Sequence, residues 1–150
     1  MKELTYRQAV LAVFIQKDGK ILLGKRSDNG FWQFPQGGID FGESPKEALY
    51  REMEEEIGCS LFDIVKQTNS SITYNFPKEL SLPICKKYKG QSQKWFLCSF
   101  HETVEPSLEK ATCQEFSKLA WFKPSFALEN IVSWKKNSYE KGLSEFGLID

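Results

Sequence analysis

The chain has 150 residues, with 20 lysines and arginines balanced by 20 aspartates and glutamates, and is 41% hydrophobic and 14% aromatic. That length suits one domain, 1–150, with a core of its own, and the apolar content excludes a disordered tail. Balanced charge excludes a partner selected by global field, so any nucleic-acid contact must come from a local patch.

No apolar run approaches the roughly 18 residues of a membrane span, and the opening MKELTYRQAV has no apolar region of signal-peptide type. A cytoplasmic location is therefore expected, with no membrane partner. Cys59, Cys85, Cys98 and Cys113 are widely spaced, form no CxxC pair and read as reduced thiols.

Residues 9–15, AVLAVFI, form an apolar run of strand length. Asp18-Gly19 is a hairpin turn signal, and 20–26 (KILLGKR) reads as the return strand. Gly19 to Lys25 also fits the spacing of a phosphate-binding P-loop. Arg26 stands where that motif needs Ser or Thr, however, and the intervening residues read as strand. Phe31 to Pro35 is a short strand leading into a glycine-rich loop.

Next comes GGIDFGESPKEALYREMEEEIGC, 37–59. Ser44 predicts an N-cap, Pro45 suits the first helical position and Glu47 completes a capping box; Gly58 supplies the stop. Glu52, Glu55 and Glu56 share one helical face, beside an apolar stripe of Leu49, Met53 and Ile57. Arg51 can pair with Glu47 or Glu55. Such an acidic face is either a solvated surface or a metal site. Like charges at these spacings repel by about 0.2–0.5 kcal/mol per pair, and converging carboxylates suit a hard divalent cation, which favours the metal.

Beyond the helix, 62–67 and 71–76 read as strands joined by a polar turn, and 77–90 as a loop. Lys78, Lys86, Lys87, Lys89 and Lys94 face Glu79 alone over this region, a local positive excess that would concentrate a polyanion. Residues 93–101 form an apolar strand suited to a central position, 102–118 read as irregular, and 119–122 form a short last strand. Pro124 precedes a C-terminal helix over about 125–146, with Val132, Tyr139, Leu143 and Phe146 at helical spacing. His101, the one histidine, reads as an ordinary polar residue. Strands alternating with two helices predict an α/β fold with a mixed sheet covered by helices.

Gly37, Glu43 and the run Arg51-Glu52-Met53-Glu54-Glu55-Glu56-Ile57-Gly58-Cys59 resemble the full Nudix hydrolase signature. The resemblance implies an α/β/α sandwich with a central mixed sheet and a loop–helix–loop catalytic box. It also implies Mg²⁺ or Mn²⁺, and water attack on a phosphorus of a nucleoside diphosphate derivative. Trp32 to Ile39, Gly90 to Leu97, Glu115-Phe116 and Val132 to Lys135 are similar to the branch holding bacterial RNA 5′-pyrophosphohydrolases and dinucleoside polyphosphate hydrolases.

By that resemblance, Glu52, Glu55 and Glu56 hold metal, one of them orienting or deprotonating water, and Glu115 adds a further ligand or base. Glu43 and Arg51 brace the box, with Gly37 and Gly58 as its structural glycines. Arg7, Arg26, Tyr74, Trp134 and Lys135 match substrate-binding positions, cations for phosphate and rings for bases. Gln8 and Trp134 depart from the branch, which commonly has proline and phenylalanine there. The expected substrate is 5′-triphosphorylated RNA. A dinucleoside polyphosphate is the alternative, and a non-catalytic nucleotide sensor on the same fold a third reading. DNA is not expected as a partner.

Overall fold

A computed structural model describes residues 3–150. The larger of its two sheets has five strands. β1 (Thr5–Phe14) runs parallel to β7 (Tyr88–Phe100), with Leu11 opposite Trp95. β4 (Gln36–Gly38) lies antiparallel on the other edge of β1. β5 (Phe62–Gln67) and β6 (Ile72–Asn75) both pair antiparallel with β7, end to end along its free edge. The sheet is mixed and central, as the pattern predicts.

The smaller sheet is antiparallel, with β2 (Ile21–Arg26) between β3 (Trp32–Gln33) and β8 (Phe116–Phe122). This corrects the expected hairpin. The chain does turn at Asp18-Gly19, but β1 and β2 share a single bridge, Ile15 to Ile21, and then enter different sheets. β2 instead pairs with β8 far along the chain, a choice that local turn chemistry does not encode.

β1 explains why its sequence is a continuous apolar run: both of its faces are covered. Val10, Ala12 and Phe14 pack with Leu49, Met53 and Ile57 of helix α1 (Pro45–Ile57). Leu11 and Val13 face the opposite cluster, which holds Trp95, Tyr139 and Leu143. The C-terminal region supplies that second layer, and here the expected helix over 125–146 is corrected. It breaks into α2 (Pro124–Asn130) and α3 (Lys136–Glu145). Ile131 and Val132 between them are extended, with ψ of 154° and 141°, and a short 3-10 turn covers Ser133–Lys135. Ile131 joins the core, and the break turns Trp134 and Lys135 toward the sheet.

The box helix begins and ends as its sequence requires. Ser44 Oγ accepts from Glu47 N–H at 3.1 Å while Glu47 Oε1 accepts from Ser44 N–H at 3.0 Å. Gly58 adopts φ of 64°, a left-handed stop. No helix among the described residues is long and apolar enough to cross a membrane. All four cysteines are free.

Candidate active site

Arg51 organises the box. Its Nε and Nη2 donate to Glu43 at 2.6 and 2.9 Å, and Nη2 also reaches the Gly38 carbonyl at 2.9 Å. Nη1 donates to Glu52 at 2.9 Å and Glu55 at 3.2 Å. One guanidinium thus ties the glycine loop to the helix. Glu47 is engaged in the cap, so of the two expected partners Arg51 takes Glu55. The same clamp, with the Asp40 N–H, holds the Glu43 carboxyl down to about 2.

The three box glutamates end in different surroundings. Glu55 is 43% exposed on its side chain and held through one oxygen. Glu52 lies against Gly37, where a Cβ would overlap its carboxyl, and burial raises its pKa. Glu56 is buried and accepts from Gln36 N–H at 3.0 Å. Burial first, then contact with Glu115, pushes its pKa well above the ordinary carboxylate range. Glu115 arrives just before β8, so two acids distant in sequence meet at one point.

Glu115 also accepts from Arg26 Nη1 at 2.7 Å, and Asp28 holds the other side of that guanidinium at 2.8 and 2.9 Å. A cleft of about 270 Å³ opens here, lined by Arg7, Arg26, Tyr74, Glu115, Trp134 and Lys135 among others. All five residues matched to substrate binding therefore lie on one concavity. Tyr74 and Phe76 surround the half-buried Trp134, at ring separations of 5.6 and 6.0 Å. Lys135 is buried, its Nζ 3.3 Å from Gln33 Oε1, and burial lowers its pKa to about 8. His101 lies away from the cleft, 3.2 Å from Asp63 at the surface.

Several cleft residues carried no role in the sequence reading. Gln33 is buried, accepts from Arg26 and Lys135, and its Nε2 is a donor with no partner among the described residues. Gln93 donates to Gln36 at 2.6 Å and to Gln91 at 3.1 Å, joining the cleft wall to the floor of the sheet. The alternation Gln91, Gln93, Trp95 was the available signal, since period two puts all three on one face of β7.

The chain matches the NUDIX domain family over residues 5–142. It belongs to the Nudix family. Curated relatives include an RNA pyrophosphohydrolase of Wolbachia pipientis, 36% identical over 99% of this chain and 93% of that one. Another, from Photobacterium profundum, is 35% identical over 96% of this chain and 85% of the relative. Among solved structures, a NUDIX hydrolase from Nitrosomonas europaea superposes with a TM-score of 0.71 at 19% identity. That match covers 95% and 89% of the two chains and shows the shared fold.

Nudix hydrolases generally need divalent metal ions, and the donors here fit one. They are hard carboxylate oxygens, two of them held by burial in a state that a nearby cation would favour ionising. Among the described residues no three acidic, histidine or cysteine side chains already form a closed cage. Arg51 occupies oxygens of Glu52 and Glu55 instead, so an incoming ion competes with a guanidinium for these two.

Proposed function

We propose that this Nudix protein is a metal-dependent RNA 5′-pyrophosphohydrolase that converts a 5′-triphosphate end to a 5′-monophosphate. The observation that carries this reading is the cleft in which Glu115, itself in contact with the buried Glu56, meets Arg26, Lys135 and the Tyr74–Phe76–Trp134 rings. Phosphate chemistry, cationic binding and base-stacking surfaces are thereby contiguous. The names of the two bacterial relatives agree with it.

Glu52, Glu55, Glu56 and Glu115 would hold Mg²⁺ (or Mn²⁺). Bound there, the ion would acidify a water and stabilise charge on the leaving oxygen. Arg26, Lys135 and Arg7 bind phosphate oxygens, Arg26 with its orientation already set by Asp28 and Glu115. Trp134 presents a ring face for a base, a stack being worth about 1–3 kcal/mol, while the buried Tyr74 backs it from within the cleft wall. Glu55, more exposed than Glu52 or Glu56 and held through one oxygen, is the group we assign to take the proton from the attacking water. The water oxygen joins phosphorus, the anhydride bond breaks, and the phosphate chain leaves.

The deciding experiment is a matched kcat/KM comparison with Mg²⁺ between a short 5′-triphosphorylated RNA and diadenosine tetraphosphate. Preference for RNA, with pyrophosphate or successive phosphates released, is the expected result. Preference for the dinucleotide, with ATP and AMP as products, would overturn the RNA assignment. Stoichiometric binding without turnover of either would point to a sensor.

A further inference from the structure

A second concavity, of about 590 Å³, lies beside the catalytic cleft. Tyr6, Phe41, Lys87 and Tyr88 line it, together with Asp40. Arg7 and Ile84 line both concavities, so the two surfaces are continuous.

Phe41 is the informative residue. It is fully exposed, at 107% of its reference area, and packs against nothing. Yet its position is fixed. Glu43 N–H donates to the Asp40 carbonyl at 3.0 Å, and Gly42 takes φ of +86°, which closes a tight turn with Phe41 at its apex. Asp40 N–H donates back to Glu43 Oε1 at 2.8 Å, and Arg51 clamps Glu43 in turn. A large aromatic held outward on a braced turn contributes nothing to the core; it is suited to stacking. Tyr6 is similarly fixed, its hydroxyl donating to Asn75 at 2.6 Å and one ring face covered by Lys89 Nζ at 4.7 Å.

The charges favour a polyanion over a protein partner. Arg7, Lys87 and Lys89 line or flank the surface, whereas Asp40 is 3.4 Å from Arg51 and so partly neutralised. Aromatic faces interleaved with cations are how single-stranded nucleic acid is held without sequence readout. We propose that this surface binds the nucleotides that follow the 5′ end of the same RNA chain. Phe41 stacks a base, and Lys87 contacts phosphate as the chain leaves the cleft past Arg7. This rests on the RNA reading above.

The test compares wild type, Phe41→Ser and Lys87→Ala, both substitutions being at exposed side chains. The substrates are a 5′-triphosphorylated dinucleotide and an oligomer of about eight nucleotides. The same oligomer with a 5′-hydroxyl end is also titrated by fluorescence anisotropy. We expect wild type to favour the longer substrate about tenfold in kcat/KM. Phe41→Ser should remove most of that preference while leaving dinucleotide turnover unchanged. Lys87→Ala should reduce the salt slope of oligomer binding by about 0.7. Equal kcat/KM for both lengths in wild type would overturn the proposal, as would Phe41→Ser binding the 5′-hydroxyl oligomer as tightly as wild type. Were wild type to hydrolyse no triphosphorylated RNA, the enzymatic reading would fail, and the anisotropy arm would still decide whether this surface holds single-stranded RNA.

Discussion

Gln36 donates its backbone N–H at 3.0 Å to Glu56, a carboxylate buried beside a second acid, Glu115. One donor does not offset burial and like charge together, so the Glu56 proton is retained above the ordinary carboxylate range. In that window the folded state holds a proton that the unfolded state has released. The stability of metal-free protein should therefore fall as pH rises from about 4.5 through the folded pKa. Glu56→Gln removes this slope. Thermal melts in chelator should show the variant more stable than wild type near neutral pH, with turnover lost by about 10²-fold or more. A variant that melts lower throughout would contradict the assignment.

Glu55 tests the chemistry without the burial. Its side chain is half exposed, so Glu55→Gln should leave stability within about 0.5 kcal/mol. The rate should fall about 10²–10⁴-fold, mostly in kcat. Activity near that of wild type would remove Glu55 from the mechanism.

Lys135 is a buried cation whose pKa burial lowers to about 8, from an ordinary value of 10.5. Below pH 8 both folded and unfolded chains carry the charge, and the folded state bears its full burial cost. Between pH 8 and 10.5 the unfolded chain binds more protons, so wild-type stability rises with pH from this residue. Lys135→Met should consequently raise stability by about 1–2 kcal/mol at neutral pH. The gain should shrink above pH 8. Its kcat/KM for triphosphorylated RNA should drop about tenfold or more, and wild-type substrate affinity should weaken as pH passes 8. Paired denaturation curves at pH 7 and pH 10, alongside kinetics, would check both signs.

Gly37 leaves room for the Glu52 carboxyl, which an added Cβ would overlap. Gly37→Ala should displace Glu52 and weaken divalent-ion binding about tenfold by calorimetry. The helix cap is remote from this contact, so helical content should be retained. Unchanged ion affinity would place Glu52 outside the metal shell.

The limits of α1 were legible because every signal for them is local: Ser44, Pro45 and Glu47 at one end, Gly58 at the other. Pairing of the strands was legible only in part. The Asp18-Gly19 turn is real, but the partner of β2 is β8, chosen by burial of Leu22 and Leu23 among distant residues. The apolar spacing of Val132, Tyr139, Leu143 and Phe146 bridges the break at Ile131 and Val132, where no glycine or proline marks it. Within the cleft, the acids and cations stood out by charge and spacing. Gln33 did not, because a neutral amide acquires meaning only when neighbours bury it.

β1 is made before its parallel partner β7, which emerges only after the whole acidic helix has been made. Long-range parallel pairing of this kind is slow to form. Until β7 docks, β5 and β6 have no edge to join, and Gln93 is not yet in place to engage Gln36. A nascent chain thus carries its full set of box carboxylates well before the sheet that spaces them, so the site can assemble only after that long-range pairing has formed.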